Sequence, residues 1–504
     1  MDIMMDLVYY CAIFLIWIIS ALLIRPLMKK LVIRKHRPPP GPTSLPIIGH
    51  LHLLSSSFPQ SLKALAQRYG PLMKIRLAGN DVVVVSDAKT AKYILKTHDV
   101  DFASKYILGF GLAKFNIYDG DSFINSEYGA YWRSMKKLCK TELFGVSQLE
   151  RFSHIREEET CKLLKYLVMK SEDGETCDLS QEIASLANNI ICKMILGKRC
   201  EENPNLAMEV RKLIRKIMEC SAKMSFSQIF GPLNRLDISG NGKRLVLALQ
   251  EYDELIEELF TQFQDSGEQG KDVADMLLHT YSHSHTNAQL NLTKNKIKTF
   301  LMEIFMAGVD TTAATIQWAI AELLSNPNIL NKVREEIKKV VGSKRVVRES
   351  DIENLPYLEA VVKETLRKHP PGPLIRRECM IDTKINGYDI RKGTKVIINA
   401  YAIMQDPQTF EEPDKFKPGR FLVDLQEMDF QGNDHNFIPF GSGRRACIGA
   451  SHGLIVTNAT IASLIQCFDF KLKDGDKIEM ELTSGYSGAT ALPLVCYPIN
   501  RFHF

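Results

Sequence analysis

Between Asn436 and Gly449 the chain reads NFIPFGSGRRACIG, a turn with three glycines, two adjacent arginines and one cysteine, and it runs directly into a helix-compatible stretch ending near Cys467. Gly441, Gly443 and Gly449 permit tight backbone turns that side chains resist. Cys447 stands just ahead of the expected helix, where free N–H groups and the helix dipole favour an anionic sulfur. Arg444 and Arg445 add positive charge. Such a thiolate suits metal ligation or nucleophilic attack, so the fold must deliver this turn to a place where one sulfur can work.

Two other chemistries compete for the turn. Gly441-Ser-Gly443-Arg-Arg-Ala446 fits the GxGxxA dinucleotide pattern after an apolar, strand-like run, but two arginines occupy the turn and its βαβ context is poor. A catalytic cysteine wants a His and an Asn or Asp in a recognisable arrangement, and no such arrangement is visible.

Composition narrows the classes further. The chain has 504 residues, with 64 Lys and Arg against 59 Asp and Glu, a net charge of only +5. That balance argues against nucleic acid as the main partner. Hydrophobic residues at 45% and charged residues at 24% predict a packed globular body rather than a disordered chain. The 11 cysteines form no CxxC pairs, which disfavours a disulfide scaffold or zinc module and points to a reducing compartment.

Near the start, Leu7–Ile24 (LVYYCAIFLIWIISALLI) carries no charge and is near the lower limit of length for crossing a bilayer core about 30 Å thick. Asp2 and Asp6 precede it, and Arg25, Lys29, Lys30, Arg34, Lys35 and Arg37 follow it, the reverse of a secretory leader. The expectation is one retained transmembrane helix with the body on the cytosolic side. Residues 1–37 then form the anchor and its basic flank, 38–42 (PPPGP) a stiff proline-rich hinge, and 43–504 the body.

Within the body, Leu72–Leu77 and Asp81–Val85 read as strands. Amphipathic helical patterns appear at 147–170, 207–225, 243–265, 294–324, 327–340, 357–368 and 448–466. The expected class is mostly α with a small β region. His283 and His285 sit in a Ser/Thr/Asn-rich stretch without further spaced ligands and read as loop.

The segment 294–324 predicts a helix of about 45 Å, N-capped by Thr293 and stopped at Ser325-Asn326-Pro327. Its middle, Ala307-Gly308-Val309-Asp310-Thr311-Thr312, is polar between the apolar runs FLMEIF and AATIQWAI. Gly inside a helix costs about 1 kcal/mol against Ala, and Thr hydroxyls compete for backbone carbonyls. Glu364 and Arg367 lie three apart on one helical face, as Trp132 and Lys136 lie four apart on another.

Phe440-x-x-Gly443-x-Arg445-x-Cys447-x-Gly449 resembles the haem-binding signature of the cytochrome P-450 superfamily. The resemblance runs from the PPPGP hinge to the C-terminal region and is nearest to plant microsomal members. It implies one mostly helical domain, overriding the multi-domain prior that length suggests, with haem b held through Cys447 as axial thiolate. Phe440, Gly443 and Gly449 would shape the loop. Trp132, Lys136, Arg377 and Arg445 would face the propionates, although Lys136 stands where the family has Arg and lacks its bidentate fork.

By the same resemblance, Asp310 and Thr311 organise water for proton delivery to dioxygen. Glu364-x-x-Arg367 with Arg420 of Pro418-Gly419-Arg420-Phe421 forms a structural ion triad, with Gly419 where Glu is common. Lacking a credible nucleotide loop, the chain would take NADPH-derived electrons from a membrane-bound NADPH–cytochrome reductase docked on basic residues at 132–137 and 444–445. The implied location is the endoplasmic reticulum membrane, single-pass, in contact with lipid. The implied reaction inserts one oxygen atom from O2 into an apolar specialised metabolite, a triterpenoid first and a flavonoid second. A non-oxygenating haem-thiolate isomerase or dehydratase is the other alternative. Substrate-wall candidates are Phe110, Leu112, Phe115 and Phe123 within 103–125, Phe305, Thr312, Leu374, Ile375, and Ser487–Ala489.

Overall fold

The computed structural model describes residues 37–45, 48–55, 57–77, 80–106, 122–197, 200, 203, 205–227, 240–266, 273–282, 292–423, 427–472 and 493–502. The expected anchor, His283 and His285, Phe110, Leu112 and Phe115, and Ser487–Ala489 lie outside these residues.

The N-terminal part places α1 (Phe58–Tyr69) before the hairpin β1 (Leu72–Leu77) and β2 (Asn80–Val85), followed by α2 (Ala88–Lys92). A helical body follows: α3 (Ala130–Leu138), α4 (Val146–Arg151), α5 (Ser153–Glu172), the short β3 (Cys177–Asp178), α6 (Leu179–Leu196), α7 (Leu206–Ser227), α8 (Asn241–Ser266) and α9 (Val273–Ser282). Next come α10 (Lys294–Gly308), α11 (Asp310–Ser325), α12 (Pro327–Val340) and α13 (Pro356–Lys368). The last part holds β4 (Leu374–Glu378), β5 (Thr383–Ile385), β6 (Tyr388–Ile390), β7 (Lys395–Asn399), α14 (Ala400–Met404), α15 (Ala450–Cys467), β8 (Phe468–Leu472) and β9 (Val495–Asn500).

Four strands form a sheet in the order β1-β2-β7-β4, with β2 and β7 parallel and the other pairs antiparallel. Val82, Val84 and Ile397 bury on one face against Leu62 of α1, and Val83, Val85, Val396 and Ile398 bury on the other, toward the segment that carries the cysteine turn. The sheet is thus a wall between two apolar layers, which is why its strands are rich in β-branched residues.

The main core is helical. Lys294–Ser325 is long and apolar enough to pass for a membrane span, yet most side chains of α10 and α11 are buried inside the body. Its boundaries match expectation: the Thr293 side chain accepts from Lys296 N–H, and α11 ends at Ser325 ahead of Pro327. Its continuity does not. The helix breaks at Val309, where Thr311 Oγ1 donates to the Ala307 carbonyl at 2.6 Å, so the hydroxyl competes with the ladder at the interruption. The pattern at 147–170 is likewise two helices, α4 and α5, meeting at Phe152.

The proline-rich segment lies against the edge of β1. Lys74 N–H donates to the Pro40 carbonyl at 2.7 Å, and a Cβ on Gly41 would fall 2.0 Å from the Lys74 carbonyl oxygen. Arg37 and Asp389 are tied through both backbone and side chain. A stiff chain without free N–H groups at the prolines is suited to lying along a strand edge in this way.

Candidate active site

The cysteine turn is fixed from three sides. Cys447 N–H donates to the Phe440 carbonyl at 2.9 Å, closing the loop, and Gly441 and Gly443 adopt φ of +73° and +74°. At Gly443 an added Cβ would lie 2.0 Å from the Leu95 carbonyl oxygen, so both conformation and space demand glycine. Gly449 differs from expectation: its φ is −90° and a Cβ there would make only ordinary contact with Phe144. It caps α15, and its N–H is directed at the Cys447 sulfur.

Cys447 is enclosed by protein yet retains an accessible face, unlike the buried cysteines elsewhere in the body. Burial pushes its thiol up, against the Gly449 N–H and the positive charge of Lys105. The helix dipole and neighbouring arginines therefore do not by themselves hold the sulfur as an anion; a coordinated metal, which deprotonates a thiol outright, would.

Around this sulfur the charge is unbalanced. Arg377, 1% exposed, donates through Nη1 to its neighbour's carbonyl at 2.9 Å, and its Nη2 has no partner among the described residues. Arg445 donates through Nε to the Ala103 carbonyl at 2.6 Å and through Nη2 to the Ser126 carbonyl, leaving Nη1 unsatisfied among the described residues. Burial pushes each guanidinium down to about 10. Lys105 joins them and is pushed down to about 7, by burial first and then by Arg377, Arg376 and Arg445. Asp99 is the carboxylate that acts on both arginines.

Orphaned cationic donors beside one open sulfur are a costly arrangement unless an anionic group completes it. Two propionates and one axial position are what haem presents, and the donor set fits it.

Trp132 and Lys136 reach the same loop, in a different manner from that expected. The Arg445 guanidinium lies 4.3 Å above the Trp132 ring centre, a cation–π contact, and Lys136 Nζ donates to the Arg444 carbonyl. Lys136 thus ties α3 to the cysteine turn through backbone. Phe123 stacks on Trp132 with centroids 6.4 Å apart.

The interrupted helix faces this assembly across α15. Thr312 Oγ1 lies 3.8 Å from where a Cβ of Gly453 would sit, six residues beyond Cys447. Gly308 is hemmed in by Ile191 Cδ1 of α6, 3.0 Å from an added Cβ, so a glycine keeps α10 close to α6. Burial raises the Asp310 carboxyl, while Arg211 and Arg215 of α7 oppose that shift. Asp310, Arg211, Arg215 and Gln317 share the lining of a cavity of about 300 Å³ with Phe305 and Val309. Asp310 therefore faces a polar route bounded by α6 and α7.

Glu364 and Arg367 are 0% exposed and doubly bonded, at 2.7 and 3.0 Å, and Arg420 Nε approaches Glu364 at 3.3 Å. Arg367 also donates to the carbonyls of Met404 and Pro413, and Lys417 N–H to Glu364. The triad knits α13 to the meander that precedes the cysteine turn.

Two site residues escaped the sequence reading. Lys105 carries no spacing signal; only the fold brings it beside Arg377. Glu303 was legible, being the one carboxylate in FLMEIF. It is 6% exposed, accepts from Ser122 Oγ and, at 3.1 Å, from Ile124 N–H, and is pushed up to about 7 by burial.

A single mostly helical body with a small sheet, and one cysteine in a glycine-shaped turn among unpaired cations, define a haem-thiolate protein. The family model for cytochrome P450 matches residues 39–494, and the chain belongs to that family. It is a cytochrome P-450 monooxygenase, using haem b, O2 and NADPH-derived electrons. Among similar proteins, 3,9-dihydroxypterocarpan 6A-monooxygenase of Glycine max is 40% identical over 481 residues, covering 92% of this chain and 93% of its own. Beta-amyrin 24-hydroxylase of Glycine max is 37% identical over 515 residues, covering 99% of each. Plant members of this family are generally membrane-bound, and the family generally works with a redox partner on hydrophobic substrates.

Proposed function

We propose that this enzyme inserts one oxygen atom from O2 into an apolar plant specialised metabolite, a triterpenoid in the first instance, with electrons from an NADPH–cytochrome reductase. The observation that carries the reading is the accessible Cys447 sulfur beside the unpartnered donors of Arg377 and Arg445. When bound, haem supplies O–O bond cleavage, which an axial thiolate favours by donating electron density.

The chain's own residues have separate tasks. Cys447 would hold the haem iron through its thiolate, and Phe440, Gly443 and Gly449 shape its loop. Arg377, Arg445 and Lys105 would neutralise the propionates, while Trp132 and Lys136 brace Arg445 and the turn. Thr311 holds water at the helix break and Asp310 passes protons to it from the α7 side. Glu364, Arg367 and Arg420 are structural. Phe305 and Thr312, with Leu374 and Ile375 of β4, give the substrate an apolar surface. Residues 1–37 anchor the body as a single span in the endoplasmic reticulum, with 38–42 as the junction and 43–504 as the cytosolic catalytic domain. The exposed cations Arg133, Lys137 and Arg444 receive an acidic reductase face.

The name of the beta-amyrin relative supports a triterpenoid, and that of the pterocarpan relative keeps a flavonoid-type scaffold as the second reading. The test is turnover of the membrane-bound enzyme with reductase, NADPH and heavy-isotope dioxygen on both scaffold classes. Label entering a triterpene product supports the reading; label entering only flavonoids selects the second; an isomerised or dehydrated product without label refutes both.

A further inference from the structure

Away from the cysteine turn, α5, the segment 345–349 and the middle of α15 enclose a groove of about 540 Å³, within the size range of small-molecule sites. Leu164 and Val168 of α5, Val346 and Val347, and Ala459 of α15 give it apolar walls. Arg156 lines it too. Arg156 is only 3% exposed and largely committed: Nε and Nη2 hold Glu349 at 2.6 and 2.7 Å, Nη2 also holds the Leu149 carbonyl at 2.8 Å, and Nη1, itself enclosed, has no partner among the described residues.

Lys165 and Arg348 also line the groove, exposed, and neither forms an ion pair among the described residues. Arg345 is committed to Asp351 by two bonds, at 2.6 and 2.8 Å. The carboxylates are Glu349, already paired with Arg156, and the exposed Glu157. The groove therefore keeps a modest positive excess beside an apolar trough. A neutral occupant would leave Lys165 and Arg348 without a counter-charge, and a polyanion would meet Glu157 and Glu349.

We propose that this groove is a second small-molecule site, separate from the haem site, for a monocarboxylate on an apolar tail. The carboxylate pairs with the exposed Lys165 and Arg348, and the tail lies along Leu164, Val168 and Val346. Cys161, exposed and in the groove lining, reports occupancy.

The experiment follows alkylation of Cys161 by N-ethylmaleimide, read by peptide mapping, in full-length holoenzyme in phosphatidylcholine nanodiscs, with dodecanoate as probe. Mass action lowers the rate by 1 + [L]/Kd, about tenfold at nine times the half-protection concentration. Dodecanol should not protect at that concentration, Arg348→Gln should raise the dodecanoate needed, and Ala459→Phe should abolish protection. Because Arg156→Leu strips a buried pair and risks misfolding, the comparison of headgroups on the native side chains carries the test. The proposal is overturned by equal protection from dodecanol, by protection persisting in Ala459→Phe, or by a dodecanoate-induced change in the haem spectrum with Cys161 alkylation unaltered.

Discussion

At the scale of single residues, the interruption at Val309 is where backbone geometry meets chemistry. Thr311 gives its hydroxyl proton to the Ala307 carbonyl, so its oxygen lone pairs are free for water. Thr311→Ala should therefore load haem normally but lower product per NADPH roughly tenfold, short of the 10²–10⁴ span of a lost general acid because water still reaches the site. The remaining electrons should appear as peroxide, and an unchanged yield would refute the role. Glu303 makes a different prediction. Its carboxyl titrates near 7, against a usual value of 4.5, with Lys105 close by and Cys139 also sensing its charge. Between those pH values the unfolded chain has released a proton that the folded one keeps, so stability falls as pH rises through the window, by roughly 3 kcal/mol. Glu303→Gln should flatten that decline in the thermal midpoint measured across pH 4.5–8. Cys447, Arg445, Asp310 and Thr311 were proposed from the sequence because each sits in a local pattern with its own chemistry. Lys105 was not, since its importance arises only when the loop before α3 meets β4 and the cysteine turn.

At the scale of elements, the Glu364–Arg367–Arg420 triad has a clear expected cost. Glu364→Ala leaves two guanidinium groups without their carboxylate, a loss of about 3–5 kcal/mol for a broken buried pair, which should collapse recovery of haem-loaded protein. Glu364→Gln, which keeps the shape and part of the bonding, should recover more, and equal yields from both would contradict an ionic role. The sequence pattern located β1 and α12 to the residue, and most other long helices to within a few residues, because their faces alternate cleanly between apolar and polar. It missed α6, whose LSQEIASLANNIICKMIL buries residues all round and so shows little amphipathic signal. It also ran α10 into α11 and α4 into α5, since a break made by one hydroxyl or one aromatic does not disturb a hydrophobic period.

At the scale of the whole molecule, the family to which the chain belongs generally works with a redox partner, which needs a surface to dock on. Arg133 and Lys137 lie exposed on α3, the helix that Lys136 ties to the turn. Charge reversal at Arg133 and Lys137 should raise the reductase concentration needed for half-maximal turnover and flatten its salt dependence, with little change in stability. An unaltered salt profile would move the docking face elsewhere. That one family fold runs over residues 39–494 was legible only through the resemblance carried by the cysteine turn, because length alone suggested several domains. The central claim is that one sulfur, Cys447, is the axial ligand of the haem. The carbon-monoxide difference spectrum of the reduced protein tests it most directly. The native enzyme should give the thiolate-ligated Soret band and Cys447→Ser should lose it together with turnover; a Cys447→Ser protein with the native band and activity would contradict the account.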